Sequence, residues 1–166
     1  YRAEQPGPKR NAASAAKVVA GWLREKGWDA QPVTGPMVGE ILMIPPALEC
    51  GFGELGKHGS LINKEFGSAF RLGAVLTNGP FATTPKREFG VDEFCQNCRV
   101  CEDACPPFAI TPEKHTVRGA EKWYVDFDKC IPYFGEALGC GICIGRCPWS
   151  KPGTAPRLAE KMLARR

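Results

Sequence analysis

The sequence predicts an α+β protein in two parts, a mixed helix-and-strand region followed by a small cysteine-rich module. Three observations carry this. Eight of the nine cysteines fall in two runs, Cys95, Cys98, Cys101, Cys105 and Cys130, Cys140, Cys143, Cys147. Ahead of them, the stretch GPFATTPKREFG at 79–90 has proline and glycine but no hydrophobic period, as linkers do. Before that, helix-period and strand-like segments alternate. With 166 residues, 43% of them hydrophobic, the chain can bury one ordinary core or two small ones. The expected division is 1–79 for the first domain, 80–92 for a linker, 93–156 for the cysteine module and 157–166 for a C-terminal helix.

Along the first region, Asn11 followed by AASAAKVVAGWLREK and then Gly27 predicts a helix capped by Asn11, with Ala15, Val19, Trp22 and Leu23 on one face. WDAQPV at 28–33 reads as a strand. A turn at 34–36 leads to a second helix broken or started at Pro45 and Pro46 and running to about Cys50. The Gly-rich GFGELGKHG then precedes SLIN and AFRLGAVLT, both of strand character. Cys50 reads as a small buried residue. In the cysteine module KWYVDFDKC alternates like a strand, and the closing RLAEKMLARR is a short amphipathic helix with a cationic end.

The cysteine spacing selects the chemistry. Zinc takes four ligands, usually as two CxxC pairs, and leaves CxxCxxCxxxCP without a purpose. Two-cluster bacterial ferredoxins use that run: three thiolates wrap one 4Fe-4S cube and the fourth cysteine, before proline, reaches the other. CQNCRVCEDACP matches it position for position. In the second run Cys130 is set back from Cys140, but the run still ends in CxxCxxxCP. The expected ligand sets are therefore crossed, Cys95, Cys98, Cys101 and Cys147 on one cube, Cys130, Cys140, Cys143 and Cys105 on the other. Tyr124, Tyr133, Phe134 and Trp149 are placed to shield them from water.

Charge adds an exclusion. The formal net charge is +4, but an oxidised cube with four thiolates carries about −2, so two cubes bring the total near zero. A nucleic-acid partner is not expected on this ground. Apolar runs such as the one around 41–48 are interrupted by Pro45 and Pro46 and fall short of the roughly eighteen residues that span a bilayer. Gly51, Gly53 and Gly56 spell GxGxxG, yet a helix-like segment precedes them and a strand-like one follows, the reverse of a dinucleotide site.

Beyond the cysteines, IPPALECGFGELGKHGSLINKEFGSAFRLGAVLTNGPF resembles the corrinoid-domain core of the reductive dehalogenases and, more distantly, of epoxyqueuosine reductase. FGVDEFCQNCRVCEDACPPFAI, KWYVDFDKC and CPWS resemble the C-terminal half of the dehalogenases, and VVAGWLREKGWDA the segment before their core. The resemblance implies part of a nitroreductase-like α/β domain holding base-off cobalamin, with two 4Fe-4S clusters feeding it electrons. It implies reductive removal of halide from an organohalide, or, in the other branch, epoxide deoxygenation on a tRNA nucleoside. It also implies corrinoid contacts from Gly53, Lys57, His58, Gly59, Ser60, Leu61 and Ile62. Arg71 matches a position near substrate or halide, where a guanidinium suits a departing anion; pairing with Glu54 or Glu65 is the plainer use of the same side chain.

Family members are much longer, and the tyrosine that donates a proton in them has no counterpart near Lys9 to Asn11, which leaves Tyr1 as the alternative after an insertion. An electron-donor protein or reductase domain is the expected partner. The cytoplasm, where such clusters are assembled, is the expected location, although related respiratory enzymes are exported folded. A stand-alone electron carrier without corrinoid is the competing class, and an epoxyqueuosine-reductase-like enzyme a third.

Overall fold

The computed structural model describes residues 8–34 and 41–166, with side chains from residue 12 onward. Its elements are α1 (Pro8–Glu25), β1 (Ala30–Val33), α2 (Ile44–Glu49), β2 (Glu54–Leu55), β3 (Leu61–Ile62), β4 (Ala74–Thr77), α3 (Val91–Asn97), α4 (Val100–Asp103), β5 (Ile110–Val117), β6 (Ala120–Val125), α5 (Phe127–Glu136), α6 (Ile142–Arg146), a 3-10 turn (Pro148–Ser150) and α7 (Thr154–Leu163). They form two compact units, Tyr1–Cys50 with Phe70–Pro85, and Gly51–Ala69 with Lys86–Arg166. Residues 51–69, read from the sequence as part of the first domain, thus group with the cysteine module. No helix among the described residues is long and apolar enough to cross a membrane.

In the first unit α1 packs on an antiparallel pair, β1 with β4, in the register Ala30↔Thr77 to Val33↔Ala74. The helix starts at Pro8, a residue suited to a first turn, so Asn11 lies inside it rather than at its cap. Gly27 closes it as expected, donating to Arg24 O while Trp28 N–H donates to Leu23 O. The buried face is Ala16, Ala20 and Leu23, whereas Val19 and Trp22 are about half exposed. Small side chains at i and i+4 let the helix lie close to the strands, and the larger ones turn outward. AFRLGAVLT forms a strand only at Ala74–Thr77, because the stretch before it has no ladder partner. Cys50, expected to be buried, is exposed at the end of the six-residue α2. Of the turn expected at 34–36, all but Thr34 lies outside the described residues, as do Tyr1 and the side chains of Lys9 to Asn11.

In the second unit the glycine-rich stretch is a small hairpin, β2 against β3, with no helix following it, which removes the dinucleotide reading. Glu54 on β2 ties this hairpin to the module: its Oε1 accepts from the Phe89 N–H at 2.5 Å and the Val91 N–H at 3.4 Å, just where α3 begins. β5 and β6 form the larger hairpin, turned by Arg118 and Gly119, both at positive φ as a primed two-residue turn requires. KWYVDFDKC is strand only to Val125. Asp126 then accepts from the Asp128 and Lys129 N–H groups, capping α5, so Cys130 sits on a helix. α7 runs from Thr154, three residues earlier than expected, and turns Ala155, Ala159 and Met162 inward at i, i+4 and i+7.

Two cores result. One holds Ile62, Phe89, Val91, Trp123, Trp149 and the α7 residues together with Cys95 and Cys147. The other joins Ala109 and Ile110 to Cys101 and Cys105, with Cys130 and Cys143 packed against it. Trp149, 1% exposed, makes edge contacts with Phe89 and Phe94 at 5.8 and 5.5 Å.

Candidate metal centre

The first run is a chain of very short helical turns. Cys95 is in the last turn of α3. Cys98 ends that helix in extended backbone, its N–H donating to Cys95 O. Cys101 is on α4, and Cys105 follows it with its N–H on Glu102 O. In the second run Cys130 is on α5, Cys143 on α6, and Cys147 ends α6 in extended backbone, its carbonyl accepting from Ser150 N–H. Each reversal brings the next sulfur back toward the last. The nine residues between Cys130 and Cys140 are mostly the rest of α5, ended by the positive-φ pair Leu138 and Gly139.

All eight thiols are free of disulfides. Burial pushes Cys95 up to about 12, with the nearby Cys147 and Cys98 adding to the rise and a backbone hydrogen bond from Lys57 working against it. Burial likewise takes Cys101 to about 12, with Cys95, Cys147 and Cys98 as its nearest thiol influences and Cys143 a weaker one. Cys143 is pushed to about 11 by burial, and the thiols acting on it are Cys105, Cys140 and Cys130. Burial raises Cys130 too, with Cys105 and Cys140 beside it. The mutual influences thus run mainly among Cys95, Cys98, Cys101 and Cys147 and among Cys105, Cys130, Cys140 and Cys143, with Cys101 also acted on by Cys143 and packed with Cys105 in the second core.

Buried thiols held protonated in this way are poor nucleophiles, but a bound metal deprotonates its thiols outright. Among the described residues no three His, Cys, Asp or Glu side chains converge closely enough for a single ion. A cube carries its thiolates on separate irons and needs them further apart. The Trp123 and Trp149 indole N–H groups are buried without an acceptor among the described residues. Both tryptophans share a core with Cys95 and Cys147, where a sulfide-rich anion accepts such donors. The donor set and its surroundings fit iron-sulfur cubes.

The segment between Gly53 and Ile62 is committed inward. Gly53, Lys57, His58, Leu61 and Ile62 are buried, and of the seven residues assigned to the corrinoid only Gly59 and Ser60 keep partial exposure. Lys57 Nζ donates to Glu102 Oε1 at 2.5 Å and stands 4.7 Å from the Trp123 ring centre. The resemblance offered Lys57 to the corrinoid, and the pairing with Glu102 went unread because nothing local marks a partner 45 residues away. His58 Nδ1 accepts from the Ser60 N–H at 3.1 Å, and Nε2 lies 3.2 Å from Ser68 Oγ, so both ring nitrogens are taken. Arg71 is exposed and belongs to the first unit. His115, which carries no motif, stacks on Tyr124 at 4.8 Å.

Burial holds the His58 imidazole neutral, with its pKa lowered to about 4. Between pH 6.5 and 4 the unfolded chain then binds a proton that the folded one refuses. Its stability contribution is complete above pH 6.5 and drains as pH falls through that window, by at most about 3 kcal/mol. Between pH 7.5 and 5.5 the urea midpoint of the native protein should drop by the equivalent of about 1 kcal/mol more than that of His58→Asn. Equal drops in the two proteins would remove His58 as the source.

A family model described as a 4Fe-4S dicluster domain matches residues 94–151. Tetrachloroethene reductive dehalogenase of Desulfitobacterium hafniense is 35% identical over 157 residues, covering 87% of this chain and 28% of that protein. Epoxyqueuosine reductase of Synechocystis is 29% identical over 153 residues, covering 81% of the chain and 48% of the relative. Among solved structures, the catabolic reductive dehalogenase NpRdhA in complex with 3-bromo-4-hydroxybenzoic acid matches with a TM-score of 0.85 at 30% identity, over 93% of this chain and 23% of that one. The chain spans between 18% and 28% of the length of the dehalogenases it matches. A 4Fe-4S dicluster module whose likeness to these enzymes extends through the helices and strands ahead of it makes the chain a homologue of the reductive dehalogenases.

Proposed function

We propose that this chain carries electrons through two 4Fe-4S cubes toward a base-off corrinoid in a reductive-dehalogenase-like oxidoreductase that removes halide from an organohalide. Cys95, Cys98, Cys101 and Cys147 hold one cube, and Cys130, Cys140, Cys143 and Cys105 the other. The observation that carries this is the match of residues 94–151 to a 4Fe-4S dicluster domain, and the mutual influences among the buried thiols support the crossed sets. When bound, the cubes supply one-electron carriers and the corrinoid the reducing centre.

The chain's own residues bind and insulate. Trp149 and Phe94 exclude water beside Cys95 and Cys147, while Val125 and Ile110 do so beside Cys105. Residues 1–79 contribute part of a nitroreductase-like corrinoid domain in this reading. Gly59 and Ser60 are its contact points from the β2–β3 turn, and Arg71 keeps the halide-side role that the resemblance implies. His58 positions that turn rather than binding cobalt, because both ring nitrogens are already bonded.

A second reading, an electron carrier without corrinoid, is favoured by the inward commitment of Lys57, His58, Leu61 and Ile62. Anaerobic reconstitution with iron, sulfide and cobalamin, followed by desalting and metal analysis, separates the two. About eight irons with one corrinoid per chain is the expected result. Iron retained without cobalt leaves the carrier reading, and about four irons or fewer removes the two-cube assignment.

A further inference from the structure

Two buried charges have no part in holding a cluster or substrate. Lys57 is 2% exposed and Glu102 7%. Lys57 occupies the β2–β3 turn, and its backbone hydrogen-bonds to Cys95. Its ammonium crosses to Glu102 Oε1 at 2.5 Å with the Trp123 ring 4.7 Å away. Glu102 follows Cys101 directly on α4, and its Oε2 lies 3.4 Å from Nε of Arg99, which stands between Cys98 and Cys101. The pair is thus braced on segments that carry three thiols of one set. A buried ion pair adds little net stability over an apolar pair of the same volume. In a poorly screened interior, however, its charges act strongly on any charge change nearby, and a cube gains one negative charge on reduction.

We propose that Lys57 and Glu102 are a positioning pair that sets the reduction potential of the cube on Cys95, Cys98, Cys101 and Cys147, the ammonium favouring the reduced cube and the carboxylate opposing it. The inference rests on the ligand reading of the preceding subsection. The Lys57 backbone bond to Cys95 and the Glu102 contact with Arg99 weight the pair toward that cube, while Glu102 O also accepts from the Cys105 N–H, so the other cube feels it less rather than not at all.

The test is an EPR-monitored redox titration of the reconstituted chain with Lys57→Met and Glu102→Gln. Lys57→Met removes the cation, so the reduced fraction of that cube at fixed potential should fall at least tenfold, a downward shift of about 59 mV for one electron. Glu102→Gln should move the same cube upward, and the other cube should move less in both variants. Opposite signs are the mark of an electrostatic role, because a purely structural pair gives shifts of the same sign or none. Same-sign or absent shifts overturn the proposal. Should Lys57→Met fail to fold, the near-isosteric Glu102→Gln still decides it by the sign of its shift. A wild-type chain without two reducible four-iron signals overturns the ligand reading instead, and the inference with it.

Discussion

Cys147→Ala is expected to abolish the EPR signal of the cube held by the first run, Cys95, Cys98 and Cys101, while the cube nearer Cys147 in sequence survives. Bound iron should fall from about eight to about four per chain, or to about seven if the damaged site persists as a three-iron form. Cys98→Ala should lose the same signal, and Cys105→Ala and Cys130→Ala the other one. The reason is geometric. Cys147 ends α6 with its backbone extended away from that helix, in the core that also contains Cys95. Cys105 lies in the other core, with Cys130 and Cys143 packed against it, and Cys101 stands in that core too, where the two sets meet.

Uncrossed ligation predicts the opposite pairing, with Cys147→Ala behaving like Cys143→Ala. Iron analysis together with the four spectra decides between them without reference to any substrate. The crossing also has a structural consequence. Under the crossed ligation proposed above each run would donate a ligand to the other's cube, so each cube would need residues of both runs, and folding of 94–151 would be coupled to metal at both sites.

How far the sequence reveals this depends on whether the information is local. The dicluster module is legible because eight cysteines in two runs carry the ligand spacing of such modules openly. The inner face of α1 was not, because the largest apolar residues, Val19 and Trp22, look like the core. Close packing on β1 and β4 instead selects Ala16 and Ala20. β5 was hidden by Pro112, Glu113 and Lys114, which the hairpin tolerates through a bulge between Ile110 and Lys114. The Lys57–Glu102 pair joins residues 45 apart in the chain, and no periodicity announces a partner at that distance. The glycine-rich 51–59 stretch revealed its turns but not what they lean on.

Among the described glycines, Gly67→Ala should be the most destabilising methyl addition, and the comparison with Gly153→Ala explains why. Both glycines sit at nearly the same positive φ, +66° and +68°, so both substitutions incur the left-handed penalty of about 1–2 kcal/mol. At Gly153 the new methyl meets open space. At Gly67 it would lie 1.8 Å from the Trp149 carbonyl oxygen and 2.7 Å from its carbon, backbone atoms that cannot rotate away. Gly67 is also tied by two hydrogen bonds to Asn63, at 2.7 and 2.9 Å, so the loop cannot retreat without breaking them. Overpacking of this kind adds about 1–3 kcal/mol or more. Trp149 is two residues from Cys147, and displacing its backbone pulls on a thiol of the first cube. Gly67→Ala should therefore lower the urea midpoint well below that of Gly153→Ala and release iron from that cube first on dilution. Equal midpoints for the two variants would show that the 63–67 loop does not press on the Trp149 backbone, and would remove the mechanical link between that loop and the cube.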